Sequence, residues 1–546
     1  MSNRVIVIGG TGVFGARLSA ALAQDPGIDL VIAGRKARQT AAFAARIGAR
    51  ALVLDRGAPD LAARLATEAP FAVIDAAGPF QPDAGKGHPV APAALAAGAH
   101  YLDLSDDATF TAGIAALDDE ARGRGLVCLS GASSVPALSA AAVRRLGQGL
   151  TDINLIDSMI LPGNRAPRGL SVIQAILAQA GQPLAEWRGG MASPTRGWGR
   201  LARVDLGFGR RWSSPIGAPD LTLFPQTFRA RSVRFSAGLE LSALHLGLWA
   251  LALPVRAGLV RSLVPLARPL RWMADRLRPF GTDRGGMRVR VVGQTPDGRM
   301  EQRDWTLVAG SGDGPEVPAI PARALLAALI RGDVTPGARP CIADLDLALA
   351  EAEMARHDIT TSVETSEFTP VFAQALGADW AALPPALQDL HRLADRRHWS
   401  GRARITRGTG RLARLTAWAM RFPAAAADVP VTVTLDRHAG HEVWTRNFAG
   451  QRFRSRLRPV EGGMIERFGP LSFLIDLTVR DDRLCYPVTR GWCLGLPLPH
   501  ALLPVSDTVE AVDALGRATF DVALSHPLTG PIIRYRGWPT DAQSRK

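Results

Sequence analysis

An α/β protein that opens with a doubly wound parallel sheet is predicted by three observations. Val5-Ile6-Val7-Ile8 is an unbroken β-branched run, the pattern of a strand covered on both faces, as in parallel sheets. Gly9-Gly10-Thr11-Gly12-Val13-Phe14-Gly15 follows at once, and a helical pattern begins straight after it, with Leu18 and Leu22 one turn apart. Strand-type and helix-type stretches then alternate through the first 130 residues, which implies right-handed βαβ crossovers.

The glycines fit both G-x-x-G-x-x-G (Gly9, Gly12, Gly15) and G-x-G-x-x-G (Gly10, Gly12, Gly15). Between a strand and a helix, that string is the dinucleotide-binding fingerprint of a Rossmann domain. The early glycines allow a tight turn and close approach of the backbone to a pyrophosphate. Gly15 lets helix and strand pack closely, and the free N–H groups and dipole of the helix hold the phosphates. The second strand is expected over 29–33, a helix over 37–47, and further strands over 51–55, 71–75, 100–104 and 126–129.

Cofactor choice is read at the end of the second strand. An NAD site places Asp or Glu there to bind the ribose 2′-hydroxyl, whereas this chain has Gly34-Arg35-Lys36. The glycine leaves room and two cations stand where a 2′-phosphate would lie, so NADP is the expected cofactor. Asp55 reads either as an acceptor for the adenine amino group or as a helix N-cap. Ala76-Ala77-Gly78-Pro79-Phe80 follows the fourth strand and should line the cleft with Ala77, Gly78 and Pro79, since ligands sit outside the carboxyl ends of such strands. His88, Tyr101, Asp103, Ser133 and Ser134 are the polar residues expected on loops facing the nicotinamide end. Loop hydrogen bonding or capping is the plainer role for each, and Ser133-Ser134 before Val135-Pro136 reads first as an N-cap. Tyr101 and Ser134 are the catalytic candidates.

Val5 to Gly15, Ala33-Gly34-Arg35, Val73 to Phe80, Ala97 to Asp103 and Gly131 to Pro136 together resemble the saccharopine dehydrogenase-like family. The resemblance continues more thinly through Trp305 to Ala309, Gly312 to Pro315 and Gly337 to Cys341. It implies an NADP-binding Rossmann domain joined to an α+β substrate and dimerisation domain. Residues beyond about 365 resemble a bacterial C-terminal domain of unknown function often fused to such reductases. The family includes saccharopine-forming enzymes, lipid-associated oxidoreductases and trans-acting enoyl reductases, so the resemblance implies a reductase scaffold without a substrate.

The expected domains are therefore 1–130 (NADP-binding), 131–364 (substrate and dimerisation) and 365–546 (mostly antiparallel β). Within the second, residues 239–279 are apolar and punctuated by Arg256, Arg261, Arg268, Arg271, Arg276 and Arg278. Pro254 and Arg256 interrupt the run before it reaches the ~20 residues of a membrane span. An apolar surface edged with cations suits peripheral membrane contact; helices packed within the domain or at a dimer face are the alternative. Pro265 and Pro269 are expected to kink the second half. In the third domain, 431–435, 442–448, 474–479, 484–486, 518–524 and 532–535 read as antiparallel strands, with a turn at Asp481-Asp482.

The chain has 546 residues, 47% apolar and 21% charged, with a net charge of +14 carried almost entirely by arginine. It is too long for one core and too apolar for disorder. The charge shows neither aromatic-interleaved basic motifs nor zinc-finger spacing, so nucleic acid is not an expected partner. Cys128, Cys341, Cys485 and Cys493 are scattered, which fits a reducing cytosol, and the first strand leaves no room for a signal peptide. The expected location is cytoplasmic, including the inner membrane face. His438 and His441 form H-x-x-H with no third ligand nearby, and no metal is expected. Three functions follow: an NADPH-dependent reductase of a lipid-like or apolar small molecule, an amino-acid-type NADP-dependent dehydrogenase, or a non-catalytic NADP-binding or redox-sensing protein.

Overall fold

The computed structural model describes residues 2–83, 85 and 87–541. They form two compact units, one of 1–187 with 192–366 and one of 188–191 with 367–546.

The first unit carries a seven-stranded sheet. Its first strand β1 (Asn3–Ile8) continues through the glycine turn into helix α1 (Val13–Leu22). β2 (Ile28–Gly34), α2 (Ala37–Arg46), β3 (Arg50–Val53), β4 (Ala72–Asp75), β5 (His100–Asp103) and β6 (Val127–Ser130) follow. Across the sheet the order is β6-β5-β4-β1-β2-β3, all parallel, with β1 between β2 and β4. Central position explains the β-branched run: Val5, Ile6 and Val7 are fully buried, alternate ones feeding two separate cores above and below the sheet.

The sheet is not complete within residues 1–130. Gly337–Pro340 pairs parallel to β6 as the seventh strand, and Asp118 accepts a hydrogen bond from the Ala338 N–H (2.8 Å). The rest of this unit is built on a mixed sheet in which Asp152–Leu161 lies between Val233–Ala237 (parallel) and Gly285–Gln294 (antiparallel). Residues 239–279 form two helices there, Ser242–Arg256 and Ala267–Arg276. Pro254 is accommodated in the last turn of the first. Pro269 sits in the first turn of the second, where its missing N–H costs nothing, and Pro265 falls in the short 3₁₀ turn Val264–Leu266. The two residues therefore start a helix instead of kinking one. His245, Leu248, Ala252 and Val255 pack against Ile173, Leu177 and Trp198, while Leu259, Trp272 and Phe280 remain exposed. No helix among the described residues is long and apolar enough to cross a membrane.

The second unit is a strongly curved antiparallel sheet of 14 strands. Alternation shows that one face of the sheet is covered: in Gln451–Val460, Phe453, Ser455 and Leu457 are buried while Arg452, Arg454, Arg456 and Arg458 face solvent. The sheet returns on itself along 483–493, where Leu484 pairs with Glu510 on one side and Val488 with Ile475 on the other. That closure makes a barrel with an apolar interior. The expected strand 474–479 is split at Asp476, whose N–H donates to the Pro487 carbonyl (3.0 Å). Its second half forms the expected hairpin, with Asp481 and Asp482 both at positive φ (48° and 58°), as a tight two-residue turn requires.

Candidate functional site

The strand order reverses between β1 and β4, and the glycine turn and the 76–80 loop stand side by side at that switch point, where open α/β sheets bind ligands. Gly9 has φ +75°, and a Cβ on it would lie 2.8 Å from the Ala77 backbone. A Cβ on Gly15 would lie 2.3 Å from the Gly9 carbonyl oxygen. Both positions therefore exclude side chains, the first by conformation and contact, the second by contact. Gly12 is the N-cap of α1 and no side chain caps that terminus, so the first N–H groups of the helix have no side-chain acceptor. Thr11, Val13 and Phe14 are half-buried around it.

Arg35 and Lys36 are exposed between β2 and α2 and Arg38 is exposed in the first turn of α2, and no ion pair to any of them occurs among the described residues. Gly34 faces Thr40, whose hydroxyl would touch a Cβ there at 2.8 Å. Asp55 is exposed and accepts from the Gly57 N–H (3.0 Å). It closes a turn and does not cap a helix, since the next helix, Leu61–Glu68, begins behind Asp60. Ala77, Gly78 and Pro79 lie on the loop beyond β4. Asp75 anchors it by accepting from the Ala77 N–H (2.9 Å), and Arg56 ties it down by pairing with both Asp75 and Asp83. Burial raises the Asp75 carboxyl while the Arg56 charge opposes the rise. The Arg56 latch left no motif in the sequence.

Tyr101 is not on a loop. It lies within β5, fully buried, and its hydroxyl has no hydrogen bond of good geometry. Burial and then the charge of Asp103 push its phenol well above the ordinary value, so it stays protonated, and its full burial within β5 keeps it from solvent. Ser134 is also buried, at 9% exposure. The expected serine cap does not form. Val135 is non-helical, and the Ser133 hydroxyl donates instead to the Pro318 carbonyl (3.1 Å). Asp103 ends β5 and accepts from the Ser105 and Gly131 N–H groups (2.9 and 2.8 Å), joining the two loops. Burial moves its carboxyl up to about 6. His88 packs on Phe110 with ring centroids 4.1 Å apart, and burial lowers its imidazole to about 4.

Two features escaped the sequence. The segment before helix Leu170–Gln179 brings Gly169 against Val13, a Cβ on it lying 3.4 Å from the Val13 side chain, so the middle of the chain reaches the start of α1. Asp220, fully buried, has neither carboxylate oxygen in a hydrogen bond of good geometry, and burial pushes it up to about 7. Among the described residues no group of three or more His, Cys, Asp or Glu is placed to hold a metal. His438 and His441 stack at a hairpin end, 5.2 Å apart.

A buried parallel strand, an amide-lined glycine turn and an uncapped helix at the switch point define a dinucleotide-binding domain. Residues 5–129 match the saccharopine dehydrogenase NADP binding domain. Residues 383–538 match a domain of unknown function, DUF4166. No curated protein matches the chain. Among solved structures, apo saccharopine dehydrogenase (L-Glu forming) from Saccharomyces cerevisiae is 16% identical, with 67% of this chain and 100% of that chain covered at a TM-score of 0.49. Biliverdin reductase from Synechocystis sp. PCC 6803, in complex with biliverdin and NADP+, is 14% identical, with coverages of 64% and 96% and a TM-score of 0.30.

Proposed function

We propose that the chain is an NADPH-dependent oxidoreductase acting on a small, apolar or lipid-like substrate. The observation that carries the cofactor is the pairing of the Gly9–Gly15 cradle with Gly34-Arg35-Lys36, where cations with no acidic partner among the described residues replace a ribose-binding carboxylate. Bound there, a dihydronicotinamide supplies a hydride. The Gly9–Gly15 backbone and the start of α1 would hold the pyrophosphate, Arg35 and Lys36 the 2′-phosphate, and Ala77-Gly78-Pro79 the inner wall. The apolar substrate is supported by the exposed Leu259, Trp272 and Phe280 among arginines, a surface suited to peripheral contact with a membrane. A homodimer through the middle domain belongs to the same reading. Calorimetry tests the cofactor: NADPH binding tighter than NADH is expected, and equal affinity refutes it. Oxidation of NADPH by a lipid extract, and not by amino-acid substrates, tests the substrate class. Tight binding without turnover on any panel would favour redox sensing.

A further inference from the structure

The C-terminal barrel is not filled. Its interior holds a cavity of about 350 Å³, within the size range of small-molecule sites. Trp444, Phe448, Phe453, Phe473, Val522 and Tyr535 are among its lining. Charged groups in the lining are Arg446, Glu466 and Glu510. Arg446 donates to the Ser455 hydroxyl (2.9 Å) and stands 3.6 Å from Glu466. The facing Glu466 oxygen and the buried Tyr486 hydroxyl are in no hydrogen bond of good geometry. Glu510 also lines the space, held by His391 at 2.7 Å.

Three segments meet at one end of this barrel. Gly410, which opens helix Arg411–Ala419, packs near the Thr529 carbonyl, and His526 contacts the Leu502 carbonyl (3.1 Å). Each segment has residues that line the cavity, Thr416 with Met420, Leu498 with Leu502, and His526 with Thr529. Each also turns large apolar side chains to solvent: Trp418 is 75% exposed, Leu496 72% and Leu528 66%. The helix itself buries Ala413 and Ala417 and exposes Leu412, Leu415 and Trp418 between arginines. A soluble domain does not gain from an apolar rim around a cavity mouth, whereas a domain that loads from a lipid surface does.

We propose that this barrel binds the hydrocarbon chain of a lipid, neutral where it is buried, taken up through the mouth roofed by helix Arg411–Ala419. Two carboxylates against one guanidinium disfavour a free fatty acid and favour an alcohol, ester or amide terminus. The site stands apart from the reductase reading, and neither depends on the other.

The test uses the full-length protein and the neutral fluorophore N-phenyl-1-naphthylamine, displaced by decanol, dodecanol and tetradecanol. Saturable one-to-one binding is expected, with displacement tightening about fourfold for each added methylene. Laurate should displace the probe more weakly than dodecanol. Val522→Phe and Val433→Phe, which place bulk inside the cavity, should abolish binding while NADPH affinity is unchanged. Leu415→Ser with Trp418→Ser should slow uptake from phosphatidylcholine vesicles without altering affinity for the free probe. Binding without chain-length dependence, or no binding by the folded wild-type protein, overturns the proposal. So does probe binding that survives both phenylalanine variants, and these outcomes leave the NADPH measurements untouched.

Discussion

The nucleotide-binding sheet and the C-terminal barrel use the same apolar residues in opposite ways. In β1 every residue from Val5 to Ile8 is buried, because helices cover both faces of a parallel sheet. In Gln451–Val460 buried and arginine positions alternate, because one face is water and the other a closed interior. Function then sits in different places. The first region presents a site at the ends of its strands, made of backbone that glycine leaves bare. The second encloses a space between strands, made of side chains that stop short of one another. A backbone site tolerates almost no added atoms, while a cavity has room to accept them.

The sharpest way to break that contrast is Gly15→Val. With a Cβ placed 2.3 Å from the Gly9 carbonyl, the turn must open. Overpacking of this kind costs about 1–3 kcal/mol, and NADPH affinity should fall about 5- to 150-fold by calorimetry, with probe binding in the barrel unchanged. Asp220→Asn addresses the carboxyl of the first unit. Its folded pKa of about 7 lies above the value of 3.8 that it has when exposed. Its contribution is therefore favourable at low pH and is lost as pH rises through 7. The asparagine variant should gain on wild type between pH 5 and pH 8, by at most about 2.6 kcal/mol, read from urea unfolding at both pH values. Arg35→Ala removes a charge-assisted contact worth about 1.5–3 kcal/mol, so NADPH affinity should drop while NADH affinity holds. At the small end, Arg402→Ala breaks an exposed pair with Asp428 on the barrel's outer face and should leave the melting temperature where it is.

The legible parts of the molecule were those where geometry selects a residue type. Only glycine fits the turn behind Ile8, and the strand-turn-helix order around it was readable for that reason. The missing carboxylate at Gly34-Arg35-Lys36 was visible as a departure from that pattern. Tyr101 reads as facing the cleft although the expected strand 100–104 already contains it, because its polar hydroxyl suggests a loop role while its ring belongs to the core of β5. The Arg56 latch joins residues 19 and 27 positions apart, and Asp220 owes its character to neighbours from other elements. Neither has a local signature. The antiparallel barrel was readable from alternation, but its cavity was not, since an interior void is the absence of atoms and no residue type encodes it.

Gly337–Pro340 gives the first domain an order of assembly. The edge of β6 that this strand covers is made early, and its partner leaves the ribosome some 200 residues later, roughly ten to forty seconds at 5–20 residues per second. Until then Val127–Ser130 offers an open row of amides and carbonyls to any other nascent chain. A gene fragment ending at residue 130 should for that reason yield insoluble protein, and the same fragment fused to 330–345 should recover solubility.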